Sequence, residues 1–321
     1  MRKVWAVLFI VGILGWSLAG SASWAWAADY PTRPVELIVG FPAGGIIDIL
    51  ARALAPTMGK HLGQPLVPAI KAGAGGEVGA TAVYKARTDG YTVSIVVSPN
   101  IFVQPLQRSV GFSPEKFSLI GIVSYDENVL AVGKDTPFDS VERFLDAARK
   151  DPAKVRVGHS GLYGDDHVAL LLLHRAAGIK TTEVPFTGSA PAMTAALGGH
   201  IEAIVDNVGN LVGRRDQFRV LATFGDQRSE LMPDVPTLKE RGIDVRAGSG
   251  RILVGPPGLP RDTLDKLRGA FKATVRDPAY AEAMKKANFP IVWVEPEELA
   301  RLMEQERVRA QGIMKELVEK K

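Results

Sequence analysis

Gly40-Phe-Pro-Ala-Gly-Gly45 and Gly73-Ala-Gly-Gly-Glu-Val-Gly79 are the stretches whose residue types and spacing could do chemistry. Each follows a short apolar strand and opens a periodic helix. Such a junction leaves backbone N–H groups without partners beside the positive end of a helix dipole, which suits an anion. A plain tight turn is the other reading of Gly44 and Gly45, and the loop alone does not decide between them. Nucleotide chemistry fails on spacing. From Gly73 a dinucleotide fingerprint needs glycine where Val78 stands, and no Gly-Lys-Ser/Thr follows as a phosphate loop needs. Gly158-His-Ser160-Gly161 is no nucleophile elbow, because the second glycine would have to stand at Leu162.

The five histidines, at 61, 159, 167, 174 and 200, show no metal-ligand spacing. His167 and His174 lie two turns apart on one predicted helix. His167 reads as a cleft-side or capping residue and His174 as structural. Asp165 and Asp166 read as helix-start caps rather than a catalytic pair. The chain has no cysteine, which excludes disulfides, cysteine-ligated metal and a lipid-modified N-terminal cysteine. No nucleophile–base–orienter set assembles. A binding protein is therefore expected rather than an enzyme, with neither cofactor nor metal.

The elements that must position these loops read as α/β. Val35 to Val39 is an apolar strand, and Ile46, Ile47, Leu50, Ala51, Leu54, Met58 and Leu62 recur at helical spacing. Leu66 to Ile70 and Tyr91 to Val97 complete a βαβαβ unit with a parallel sheet. A second such unit is expected from strands Val129 to Val132, Val155 to Gly158, Glu183 to Pro185 and Ile201 to Val205, with helices from Ser140, Asp166 and Ala190. Val220 to Thr223 is one more strand. Four polar or glycine-rich loops would then sit at the carboxyl ends of parallel strands, where such sheets bind ligands. Helices from Asp262, Asp277-Pro278 and Pro296 follow, the last returning to the first domain. The expected division is 28–129 with 252–321 as one domain and 130–251 as the other.

Met1 to Ala27 has the charged, apolar and small-x-small parts of a secretory signal peptide, with Ala25-Trp-Ala27 as cleavage site. Removing it leaves 294 residues and takes Arg2 and Lys3, so the net charge falls from +4 to +2. That balance, with dispersed Lys and Arg, argues against nucleic acid. An exported, cysteine-free chain fits a bacterial periplasm.

Several segments, in order, resemble one family. Tyr30-Pro-Thr-Arg-Pro through Gly45, with Asp48 and Ala51-Arg52, is similar to the mature start of tripartite tricarboxylate transporter substrate-binding proteins, also called Bug or TctC-like receptors. Gly73-Ala-Gly-Gly76 with Gly79, Thr88-Asp-Gly-Tyr-Thr92, Val184-Pro-Phe-Thr-Gly-Ser-Ala-Pro191 and Leu197-Gly-Gly-His200 continue the resemblance. Pro233-Asp-Val-Pro-Thr237 and Gly255-Pro-Pro-Gly-Leu-Pro260 close it.

The resemblance implies a type II periplasmic binding fold, two α/β domains joined by a double-crossing hinge and closing on a small carboxylate (an organic acid, dicarboxylate, aromatic acid or amino acid). It implies delivery to membrane permease subunits, or alternatively to a sensor kinase, by a monomer; an exported α/β enzyme with an unrecognised site is the remaining alternative. In the first domain it implies ligand contact at Phe41 (as a stacking wall, or simple packing), Pro42, Ala43, Gly44, Gly45 and Asp48. It implies the same at Gly75, Gly76, Glu77, Gly79 and Ser98. In the second domain it points to Ser160, Gly161, Tyr163, Gly164, Asp165 and His167, and to Phe186, Thr187, Gly188, Ser189 and Asp206.

The chain departs from the family at Ala69-Ile-Lys-Ala72, where an acidic-Asn-Arg-Pro run is common, and at Gly250, where tryptophan is common. Glu77 stands where a small or amide residue is commoner. A carboxylate at Glu77 or Asp165 beside an anionic ligand is unfavourable unless the ligand carries an amine or the side chain turns away.

Overall fold

A run of β-branched and aliphatic residues buried on both faces fixes the first sheet. In the computed structural model, which describes residues 30–319, β1 (Val35–Val39) lies between β2 (Leu66–Ile70) and β3 (Thr92–Ser98), all parallel. The expected signal peptide lies outside the described residues. α1 (Ile46–Leu62) and α2 (Glu77–Tyr84) make the crossovers, and Gly63 ends α1 at φ +79, its N–H bonding Gly59 and Lys60 carbonyls. Alternation along β1 puts Val35, Leu37 and Val39 in one core with Leu50, Leu54 and Met58, and Ile38 in another with Val83. α3 (Asn100–Gln107) follows β3.

β4 (Ser118–Gly133) runs sixteen residues through both halves. Up to Glu127 it pairs antiparallel with β9 (Gly248–Gly255). From Asn128 its antiparallel partners are β7 (Ala203–Asn207) and β8 (Phe218–Thr223). The chain thus crosses twice, on two adjacent strands. α4 (Val141–Lys150), capped by Ser140 Oγ from Arg143 N–H at 3.4 Å, leads to the second unit: β5 (Arg156–His159), α5 (Asp165–Ala177), β6 (Thr182–Pro185), α6 (Ser189–Leu197) and β7. β5 lies parallel between β6 and β7, repeating the β2-β1-β3 order of the first half.

One expectation is corrected here. Val129 to Val132 does not open a parallel unit; it is the end of β4, antiparallel to its partners, and the parallel unit begins at Arg156. Its direction is set by the crossing from the first sheet. The two halves still match, because each parallel trio carries one antiparallel neighbour: β9 beside β3, and β4 beside β7.

α7 (Val208–Leu211) follows β7, and α8 (Arg261–Val275) and α9 (Pro278–Lys286) follow β9. α10 (Pro296–Glu319) packs Leu299, Met303, Ala310 and Ile313 on Ile101, Phe102, Ile252 and Val254. The second half has its own cores on the two faces of its sheet, around Phe144 and Leu170 on one and Met193 and Phe218 on the other.

Candidate functional site

Loops leaving β1, β2, β5 and β6 open α1, α2, α5 and α6, and together they line a cleft of about 830 Å³ between the halves. The expected residues Phe41, Pro42, Ala43, Gly44, Gly45 and Gly75 form the first-half wall. Gly44 sits at φ +78, a left-handed position that favours glycine. Its N–H donates to Asp48 Oδ2 at 2.8 Å, and Gly45 N–H to Pro42 O at 3.2 Å, so these two amides are used inside the loop. The free donors come one step later. Ile46 and Ile47 line the cleft, and their N–H groups have no acceptor among the described residues, because a first helical turn has no carbonyl behind it.

Asp48 therefore works from behind. It is 3% exposed, and its second oxygen lies 2.9 Å from Arg52 Nε as a contact of charges rather than an aligned hydrogen bond. The Gly44 bond, and then Arg52, hold its carboxyl below the usual carboxylate range.

The second glycine loop is built the same way. Ala74 (φ +48) and Gly75 (φ +64) line the cleft in left-handed conformations, and Gln104 Nε2 fixes their carbonyls at 3.1 and 3.0 Å. Gly76 N–H and Val78 N–H return to Gly73 O, leaving the Ala74 and Gly75 amides without acceptors among the described residues. Gly76 and Gly79 serve packing instead of lining the cleft. A Cβ on Gly76 would lie 2.8 Å from Phe41 Cζ, and one on Gly79 2.6 Å from Gly40 Cα. Glu77 is turned away, its Oε2 accepting from Arg108 Nε at 3.0 Å and Nη2 at 2.6 Å. Ser98 faces elsewhere, and strand alternation is the reason. Val97 and its partner Arg251 face the cleft, so Ser98 and Gly250 face a separate cavity of about 390 Å³.

On the second-half wall stand Ser160, Gly161, Tyr163, Gly164 and Asp165, then Thr187, Gly188 and Ser189. Tyr163 holds φ +64, and its N–H donates to His167 Nδ1 at 2.7 Å. His167 Nδ1 is thus an acceptor, and its Nε2–H donates to Glu183 Oε2 at 2.9 Å. His167 is buried and stacked on His159 at 4.3 Å, bracing the loop rather than facing ligand. Phe186 packs against Gly158 and does not line the cleft. Asp206 is buried too. It accepts from Asn207 N–H and Asn210 Nδ2, both at 2.7 Å, and from Ser189 Oγ at 3.1 Å, tying the starts of α6 and α7 to β7.

Sequence reasoning missed Asn100, Gln104 and Gln107 on α3 and Arg108 at its end, together with Asn207, Asn210, Ser249 and Arg251. The spacing Asn100, Gln104, Gln107 against Ile101 and Phe102 is an amphipathic helical signal, interrupted by Pro105. Among the described residues, no group of three or more His, Cys, Asp or Glu side chains could hold a metal ion.

Buried acids cluster behind the cleft and beside the separate cavity. Burial pushes Asp206 and Asp126 up to about 6 and Glu127 up to about 7, and raises Asp166 with help from Asp165. Each keeps a proton when folded at a pH where the unfolded chain has released it. Their contribution is therefore fully present below about pH 4, where the unfolded carboxyls hold their protons too, and is lost as pH rises through 6 to 7. His159, lowered to about 4 by burial and then His167, and His174, also lowered, act oppositely between their folded values and about 6.5. Four acids outweigh two histidines. The melting temperature is expected to rise on going from pH 7.5 to 5.5, and a fall over that range, followed by calorimetry, would contradict this charge assignment.

The sequence matches the family described as "Tripartite tricarboxylate transporter family receptor" over residues 50–318. A TctC solute-binding protein from Polaromonas is similar in structure, with a TM-score of 0.79 and 34% identity over 89% of this chain and 99% of that one. MatC from Rhodopseudomonas palustris, solved with bound malate, has a TM-score of 0.74 and 26% identity over 89% of this chain and all 100% of its own. R. palustris Rpa4515, solved with adipate, has a TM-score of 0.78 and 28% identity over 89% and 98%. The matched family is one of transporter receptors, the Polaromonas structure is of a solute-binding protein, and the fold is shared with the periplasmic binding protein BugD at a TM-score of 0.74. Since the matched span takes in most of both halves of the fold, the chain belongs to the tripartite tricarboxylate transporter receptor family.

Proposed function

We propose that the cleft captures a small carboxylate through the helix-start amides of Ile46, Ile47, Ala74 and Gly75, and that the two halves close on it. The observation that carries this reading is that these four donors line one cleft and are unused by the protein among the described residues. A hydrogen bond from a backbone N–H to a charged oxygen is worth about 1.5–3 kcal/mol net, so the four together supply about 6–12 kcal/mol, a range that includes the roughly 8 kcal/mol of a micromolar site. Malate and adipate in the related structures support the ligand class.

We assign 28–129 with 252–321 to one closing body and 130–251 to the other, with the hinge where β4 changes partners between Glu127 and Asn128. The family supports delivery to a tripartite tricarboxylate permease as part of this reading, and the signal-like N-terminus supports export. Thermal shift against a panel of organic acids tests the reading. At hundredfold excess over Kd, a genuine ligand adds about 2.7 kcal/mol, a shift on the order of 5 °C. No stabilisation of folded protein by any carboxylate would sink it.

A further inference from the structure

The two walls of the cleft differ in charge. The first-half wall offers backbone donors at two helix starts and no free carboxylate, because Glu77 has turned to Arg108. On the opposite wall, Asp165 lines the cleft. Its Oδ2 accepts from Asn207 Nδ2 at 2.9 Å and Asn128 Nδ2 at 3.3 Å, both neutral donors. Among the described residues, Asp165 enters no ion pair. The carboxyls of Asp126, Asp166 and Asp206 stand behind it, each with a pKa raised in part by Asp165.

Arg251 is the cation of the cleft floor, 2% exposed, and its Nη2 reaches Asp126 Oδ2 at 3.7 Å. Its Nε is buried without an acceptor, a second donor suited to an anionic group. A ligand's single carboxylate is thus provided for by the amides of the first-half wall. A second carboxylate reaching across would meet Asp165, which pairs with no cation among the described residues, while the Arg108 guanidinium in the same cleft is taken up by Glu77.

We infer that this cleft takes an acid that also carries a protonated amine, the carboxylate toward Ile46, Ile47, Ala74 and Gly75 and the amine against Asp165. The inference rests on the carboxylate-receptor reading and narrows it: this chain differs in preference from the malate-bound and adipate-bound relatives. Asp165 sets that preference by attracting the ammonium group and repelling a second carboxylate.

Calorimetric titration of the intact protein tests it, with α-amino acids, ω-amino acids, their hydroxy-acid counterparts, malate and adipate as probes. An amine-bearing acid should bind at least about tenfold more tightly than its hydroxy counterpart or either dicarboxylate. Asp165→Asn should lose that preference by at least about tenfold while leaving dicarboxylate binding unchanged or improved. Asp165→Ser, which keeps a polar group at the start of α5, should do the same if the asparagine variant folds poorly. Tighter binding of a dicarboxylate or a hydroxy acid by the unmodified protein would overturn this inference and leave the carboxylate reading standing. So would an amine preference untouched in both variants. No binding of any acid would overturn both.

Discussion

Gly79→Ala is expected to destabilise the protein and weaken ligand binding, although alanine is the better helix former. Gly79 lies in α2, where glycine to alanine alone would gain roughly 1 kcal/mol. The added Cβ would sit 2.6 Å from Gly40 Cα and 3.1 Å from Gly40 N, both backbone atoms that cannot swing aside. Overpacking of this kind costs about 1–3 kcal/mol, and here it pushes β1 and α2 apart. The loops at their ends carry the donor amides, and a misplacement on the order of 1 Å can cost about a hundredfold in a positioned interaction. Affinity for the best acid is therefore expected to fall by tenfold or more. Gly269→Ala in α8 is the control, because nothing lies within 4 Å of its added Cβ. It should raise the melting temperature by up to a few degrees and leave affinity alone. Equal behaviour of the two variants in thermal melts and titrations would refute the close approach of Gly40 and Gly79.

Arg251→Met is expected to have the largest effect on stability. Arg251 and Asp126 are both buried, at 2% and 3% exposure, with charged atoms 3.7 Å apart. Removing the cation leaves Asp126 with the Gly209 N–H, at 3.2–3.3 Å, as its remaining side-chain partner. Breaking one side of a buried pair costs about 3–5 kcal/mol, on the order of 10 °C in melting temperature for a chain of this size. The penalty should shrink at low pH. Asp126 already titrates near 6, Arg251 is what pulls it down, and without Arg251 its carboxyl protonates more readily. The variant's deficit should thus be smaller at pH 5.5 than at pH 7.5, and Asp126→Asn in the same chain should restore part of it. A deficit independent of pH and not relieved by the second substitution would mean that shape, not charge, is what Arg251 supplies.

How much of this was legible in the sequence differs by element. α1 was readable to the residue, because its apolar spacing runs unbroken from Ile46 to Leu62 and Gly63 terminates it. The four helix-opening loops were readable from their glycines and polar residues. β4 was read as four residues instead of sixteen, since Ser118 to Asn128 mixes glycine, serine and charged residues with its apolar ones. Those polar residues lie where the strand changes partners: Asp126 and Asn128 are buried there among partners supplied by distant strands.

Within the site, local sequence indicated which loops meet but not which atoms face inward. Asp48, His167 and Asp206 are polar residues at helix starts or strand ends, as a ligand contact would be, yet each is consumed in holding a neighbouring loop. Ser98 was lost to a one-residue alternation. The fates of Glu77 and Asp165 differ because Arg108, just past the end of α3, lies beside the first, and among the described residues no cation pairs with the second.

The most direct test is a crystal structure of the protein with the acid that stabilises it most. The ligand carboxylate should lie about 2.7–3.1 Å from the amide nitrogens of Ile46 and Ile47 at the start of α1 and of Ala74 and Gly75 in the turn before α2, with the two halves closed around it. A carboxylate held by side chains alone, or seated in the cavity beside Ser98 and Gly250, would contradict the role assigned to those amides.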